Sequence, residues 1–366
     1  MRLLNLIQCT NLGGTERASF GLMQELKKRG HEVEVLSLNP LGDFAPILAS
    51  AGIPATGLPY CGRGGWKSVG LLRRELQQRA PDALIMTGHN LLASVALGNM
   101  CRGHRVLAIH FHHAGVKPSW QWRLIYRVAC ARFDAITFPS NFVRNEAEAL
   151  YPNISSRAHT VRYPVALGKR CSERERANAR ASWNLPRDAT IIGNAGWLIP
   201  RKRFDIFLHV AAEVSKSIPN SVFLIAGDGT ERDRLKGIAA ELNLSDRVRW
   251  IGWQTDMTPF YNSLDVLLFN SDFDAMGLTA LESISHGVPV VASVLNGGLR
   301  EIITNKVHAT LLDRHDVPEM ARAIVEIVRN PAEGVAQIER AHEQLLTIGN
   351  AIDIADTYER LLGLGG

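Results

Sequence analysis

Two carboxylates open the functional question. Asp274 and Glu282 stand eight residues apart within Asn270–Ser293, NSDFDAMGLTALESISHGVPVVAS, and Gly277 lies between them. The run from Leu278 to His286 is apolar at Leu278, Leu281 and Ile284, the spacing of a helix lying on a sheet. Gly287 ends that helix and Pro289-Val290-Val291 opens a strand. A loop leading into such a helix offers the amides of Met276, Gly277, Leu278 and Thr279, with a positive dipole end, to an anion. Anion binding alone has no use for carboxylates. Phosphates want the amides, while sugar and ribose hydroxyls want charged acceptors, so a sugar nucleotide uses both. An ordinary loop–helix–strand of any α/β protein shares this spacing, and other residues must be weighed with it.

Arg201-Lys202-Arg203 follows an expected strand at Thr190–Ala195. Loop cations in that position can neutralise a diphosphate leaving group, although a charge run is also a common solvated face. Gly227-Asp228-Gly229 follows a strand ending at Ala226 and reads as a turn. His110 closes a strand in Ile-His-Phe-His-His-Ala-Gly, at the carboxyl end where α/β sheets put ligands. His112 and His113 crowd it, but no acidic partner stands at zinc-site spacing, so no metal is expected. Gly13-Gly14 follows the apolar strand Leu3–Cys9 and lacks the third glycine of a dinucleotide fingerprint.

These residues need a scaffold, and the alternation of the chain supplies one. Strands are expected at 3–9, 31–38, 83–86, 106–110, 135–138 and 160–165, separated by helices such as Thr15–Arg29 and Trp120–Arg132. A second series runs through 190–195, 222–226, 248–251, 266–269 and 288–292. The Arg-rich stretch 166–188 reads as a linker with a solvated helix at Ser172–Trp183. The expected organisation is therefore 1–165, a linker 166–188, a second domain 189–345 and a tail helix in 346–366. A length of 366 residues suits two such domains, each with its own core.

Five scattered cysteines without a C-x-x-C argue for a reducing compartment and against a disulfide framework. No stretch reaches the apolar length of a membrane span, and Leu3–Ile7 is too short for a signal core. Net charge is +5, unevenly spread: residues 1–165 hold 19 Lys and Arg against 10 Asp and Glu. A basic first domain suggests an acidic partner, an anionic lipid or a phosphorylated acceptor, with Lys67, Arg73, Arg74, Lys117, Arg123 and Arg127 as contacts. No nucleic-acid motif accompanies it. The expectation is a cytoplasmic protein with peripheral contact at the inner membrane face.

The segment Asp274-Ala-Met-Gly-Leu-Thr-Ala-Leu-Glu282 resembles the E-x7-E segment of retaining GT-B glycosyltransferases of family 4, with Asp in place of the first Glu and Met276 in place of Phe. Gly13-Gly14-Thr-Glu-Arg resembles their G-G-x-E-R loop, which lies against donor phosphate and acceptor. The family pattern G-R-L-x-x-x-K-G places its Lys on Lys202 and its Arg on Trp197, leaving Arg201 or Arg203 to substitute. The resemblance covers essentially the whole chain. It implies two Rossmann-like, doubly wound α/β domains facing each other across a cleft, with the last helix crossing back to the first. It also implies roles: Asp274 for the donor sugar hydroxyls, Glu282 for the ribose, and Lys202 with the 277–279 amides for the diphosphate. His110 would border the reacting sugar, and the Ile251-Gly252 backbone would receive the nucleobase unless that segment is simply a packed strand. Glu301 matches a family position of structural character. The activity implied is metal-independent, cofactor-free, retaining transfer from a nucleotide-diphosphate sugar, UDP- in preference to GDP-, to a hydroxyl in polysaccharide or glycolipid synthesis. A catalytically inactive GT-B scaffold and a nucleotide-sugar epimerase or dehydrogenase are the alternatives.

Overall fold

The computed structural model describes residues 1–11, 13–59, 65–97, 101–110, 117–165, 167–348 and 350–364; side chains at 65–68 fall outside the description. The chain divides into two compact units, Met1–Pro164 with Gly349–Gly366 and Val165–Ile348. His112, His113, Cys61 and the Lys67 side chain lie outside the described residues.

Unit 1 is built on β1 (Arg2–Ile7), β2 (Glu32–Ser37), β3 (Ala55–Gly57), β4 (Ala83–Thr87), β5 (Arg105–Ala108), β6 (Ala135–Phe138) and β7 (Ala158–Thr160). They form one parallel sheet in the order β3-β2-β1-β4-β5-β6-β7. Both faces of such a sheet are covered by crossover helices, which is why β1, β4 and β6 read as nearly unbroken apolar runs. Winding reverses between β1 and β4, and a buried polar trio fastens that junction. Asn5 donates to Ser19 (2.8 Å), Thr87 donates to Asn5 (2.8 Å), and Ser19 and Thr87 meet at 3.3 Å. The helix Ala351–Leu361 packs on the helix Gly14–Lys28 of this unit. Arg29 bridges Asp356 (2.5 Å) and Glu359 (2.7 Å), and the Tyr358 hydroxyl meets Thr137 (3.0 Å).

Unit 2 repeats the scheme with β8 (Thr190–Ala195), β9 (Ser221–Ala226), β10 (Val248–Gly252), β11 (Val266–Asp274), β12 (Val290–Gly297) and β13 (Thr310–Leu312), ordered β10-β9-β8-β11-β12-β13. Its core is Phe207, Leu208, Phe223, Leu268, Val291 and Ile324, contributed by strands and by helices on the sheet. The reversal falls between β8 and β11.

The structure departs from the sequence expectation at β11, at β7 and in the helix of 166–188. β11 does not stop at Phe269 but runs on to Asp274, because Phe273 and Asp274 still pair with Asn296 and Gly297 of β12. The last strand of unit 1 is Ala158–Thr160 rather than 160–165. The helix inside 166–188 is not merely solvated. Ser172 and Glu175 form a capping box at its start, and Arg180 lies buried within unit 2. The Arg180 guanidinium donates to the carbonyls of Ser263, Arg187 and Ala189 and to Asp265 (2.7 Å). Removing Asp265 would leave the buried Arg180 charge without its counter-ion, a loss of about 3–5 kcal/mol, whereas the partly exposed Asp265 keeps Arg176 when Arg180 is removed.

Candidate functional site

The turn after β8 and the carboxyl end of β11 flank the reversal point of the unit 2 sheet, the place where open α/β sheets bind ligands. Three consecutive cations occupy the turn, and β11 holds each of them. Arg201 donates to the Phe273 carbonyl (2.8 Å), Lys202 pairs with Asp274, and Arg203 reaches Asp272 (3.1 Å). Lys202 and Asp274 are 72 residues apart in sequence, and their side chains are 13% and 15% exposed.

Asp274 is thus the last residue of a strand, and its carboxylate is already engaged. Oδ1 accepts from the Met276 N–H (3.2 Å) and the Gly277 N–H (2.7 Å), while Oδ2 accepts from Lys202. Burial alone would raise this carboxyl; Lys202, the Gly277 amide and Arg201 outweigh burial and hold it below the usual aspartate range. The amides expected to be open at Met276 and Gly277 are therefore taken by Asp274. Leu278 and Thr279 begin the helix Leu278–Ser285 and, as first-turn residues, have no acceptor one turn back. Gly277 sits at φ +79°, where a Cβ would press on the Leu299 side chain at 3.0 Å, so glycine is required at this turn. Thr279 reaches the Ala195 carbonyl at the end of β8 (3.5 Å).

Glu282 lies one turn further along the helix, and the Tyr261 hydroxyl donates to its Oε2 (2.6 Å). Tyr261 is itself fixed by stacking on His286, centroids 4.8 Å apart. No local motif marks Tyr261, which lies 21 residues before its partner. At the end of β10, the Gly252 carbonyl accepts from Gly227 (2.7 Å) and the Ile251 carbonyl from Gln254 (2.5 Å). Gly227 is where the backbones crowd: at φ +122°, a Cβ would fall 1.9 Å from the Gly196 carbonyl oxygen. Trp197 stands edge-to-face against Trp253 at 4.5 Å, an aromatic pair at the position where the family pattern has its arginine.

In unit 1, Gly13 is the N-cap of the helix Gly14–Lys28 and Gly14 its first residue. His110 lies two residues beyond β5 and is 7% exposed. Its Nδ1 meets the Tyr163 hydroxyl at 2.5 Å, and its Nε2 has no hydrogen-bond partner among the described residues. Burial, with a smaller contribution from His89, pushes its pKa down to about 3, so the ring is neutral at physiological pH. Among the described residues no cluster of three His, Cys, Asp or Glu could hold a metal ion.

The family profile described as Glycosyl transferases group 1 matches residues 175–344, and that described as Glycosyltransferase Family 4 matches residues 12–169. The chain belongs to this glycosyltransferase family. It is 34% identical over 183 residues to the lipopolysaccharide core biosynthesis glycosyltransferase LpsE of Rhizobium meliloti (strain 1021), covering 50% of this chain and 52% of that protein. The chain thus spans about half the length of this relative. A D-inositol 3-phosphate glycosyltransferase of Saccharomonospora viridis is 28% identical over 343 residues, covering 84% of this chain and 79% of its own. Among solved structures, Anabaena HepE in complex with UDP and glucose superposes with a TM-score of 0.86 at 18% identity over 99% of each chain. The fold is accordingly GT-B, with two parallel-sheet, Rossmann-like α/β units.

Within unit 2, Arg201, Lys202, Asp274, Met276, Gly277, Leu278 and Thr279 gather at the sheet reversal, with Glu282 one helical turn away. Ile251 and Gly252 end a strand of the same sheet. Gly13, Gly14 and His110 belong to unit 1, at the carboxyl ends of β1 and β5. Among the described residues no helix is long and apolar enough to cross a membrane.

Proposed function

We propose that this glycosyltransferase is a metal-independent, retaining enzyme that moves a sugar from a nucleotide-diphosphate donor, UDP- in preference to GDP-, to a hydroxyl acceptor. The observation that carries the reading is the cationic turn 201–203 set against Asp274 and the first turn of the helix bearing Glu282. Lys202 and the amides of Leu278 and Thr279 would hold the diphosphate as negative charge develops on it, and Arg201 would add to the local positive field. Glu282, oriented by Tyr261, would accept from the ribose, and Asp274 from the donor sugar once Lys202 turns to phosphate. His110 and the Gly13-Gly14 turn would serve the reacting sugar and the acceptor side, His110 as a neutral hydrogen-bond partner rather than an acid. Retention follows from family resemblance, in which the leaving phosphate assists front-face attack by the acceptor.

A lipopolysaccharide-type glycoconjugate acceptor is supported by LpsE, and a UDP-sugar donor by the HepE complex with UDP and glucose. Peripheral contact with an anionic membrane is supported by the helix Ser119–Arg132, whose outer face carries Trp120 (64% exposed), Leu124, Arg123 and Arg127. Interfacial helices pair an aromatic anchor with basic residues in this way. The inactive-scaffold reading keeps one observation in its favour, the Asp274–Lys202 pair that fills the site with its own charges. Calorimetry with UDP and GDP, followed by assay of UDP release from UDP-sugars with and without excess EDTA, tests the proposal. No nucleotide binding sinks it, and activity lost to chelator and restored by Mn²⁺ removes the metal-independent mechanism.

A further inference from the structure

Arg203 has a left-handed backbone, φ +51° and ψ +42°, a conformation disfavoured for any non-glycine residue. It closes the cationic turn and precedes the helix Phe204–Ser217. Several groups keep it there. Its carbonyl accepts from Asn270 (2.5 Å), which in turn accepts from Asn194 (3.0 Å). Its guanidinium reaches Asp205 (3.2 Å) and Asp272 (3.1 Å).

Asp272 is held from the other side. His315, just past β13, brings Nε2 to the same Asp272 oxygen at 3.1 Å. Ser293, fully buried in β12, meets His315 Nδ1 at 2.7 Å. The order Ser293–His315–Asp272 matches a hydrolytic triad on paper, but a nucleophile must be reachable, and Ser293 Oγ lies in the middle of a sheet. With the serine hydroxyl donating to Nδ1, the imidazole is neutral and donates through Nε2. The groups facing it are Asp272, Arg203 and Asp205. Among the described residues, the side-chain contacts of Asp272 run from His315 to Arg203 and the turn it terminates.

We propose that His315, through Asp272, is a positioning residue that locks Arg203 in its left-handed conformation and so fixes the stance of Arg201 and Lys202 for a diphosphate. The inference rests on the donor-site reading above. It separates the phosphate half of the ligand from the nucleoside half, because His315 and Asp272 act on the turn through Arg203, whereas Glu282 is oriented by Tyr261.

The full chain is titrated with UDP and with uridine, as parent, His315→Ala and His315→Gln. Hydrogen exchange across residues 199–204 is followed without ligand. His315→Ala is expected to weaken UDP about tenfold, to leave uridine within twofold, and to speed exchange at the turn. His315→Gln, whose amide can donate to Asp272, is expected to recover UDP affinity to within about threefold. Unchanged exchange at the turn overturns the positioning role whatever UDP does, and so does equal weakening of UDP and uridine. A parent that binds neither UDP nor GDP overturns the donor reading instead, and with it the purpose assigned to His315.

Discussion

Replacing His110 by Asn should flatten the acid dependence of stability in a measurable way. The folded imidazole is held at a pKa of about 3, whereas an unfolded histidine titrates near 6.5. Between those values the unfolded chain takes a proton that the folded chain refuses, so stability falls as pH falls through that window and is unaffected above it. Going from about pH 7 to about pH 5, this one group removes about 2 kcal/mol. Asn places a polar atom near Nδ1 and can keep the Tyr163 contact. Urea unfolding of parent and variant at both pH values gives the comparison, and subtraction cancels every other titrating group. The reasoning is refuted if His110→Asn loses as much stability as the parent over that interval.

Glu282→Ala should weaken UDP by about 1.5–3 kcal/mol, the worth of a charged acceptor to the ribose, and calorimetry reads it directly; unchanged affinity removes Glu282 from the site. Asp274→Asn leaves Lys202 without its ion-pair partner but retains an acceptor for the Gly277 amide, so kcat should fall by more than UDP affinity, and a donor panel on Asp274→Glu should show altered sugar preference. Equal kcat on every donor for Asp274→Asn refutes a sugar-positioning role. Trp120→Ala combined with Arg123→Ala should reduce sedimentation with anionic liposomes several-fold at low salt, with little change on neutral ones; equal binding to both vesicle types denies the membrane role.

The alternation of apolar strands and capped helices was legible because parallel strands buried on both faces have unbroken apolar sequences. The carboxylate pair was legible because loop, glycine and helix are contiguous. What escaped depended on distance or on masking of the apolar signal. β11 seemed to end at Phe269 because Asn270, Ser271, Asp272 and Asp274 interrupt hydrophobicity, yet its ladder with β12 continues through them. β3 and β13 span three residues each, too short for periodicity to register. Arg180 reads as solvated in an Arg-rich helix until Asp265, 85 residues later, folds onto it. Asp272 and His315 are 43 residues apart, and neither carries any local mark of the other.

The order of the two units along the chain bears on how the molecule is made. Unit 2 is one uninterrupted segment, whereas unit 1 takes its last helix from the residues that follow unit 2. During synthesis the first 164 residues emerge early but must wait for Ala351–Leu361 before Arg29, His31 and Thr137 meet their partners. Unit 2 can close on itself while the earlier-made segment is still incomplete, the reverse of the usual amino-terminal-first sequence of domain folding. Nascent chains arrested after Ile348 should therefore yield, on brief proteolysis, a protected fragment from Val165 onward and a digestible amino-terminal part. Equal protection of both would show that the final helix is dispensable to unit 1.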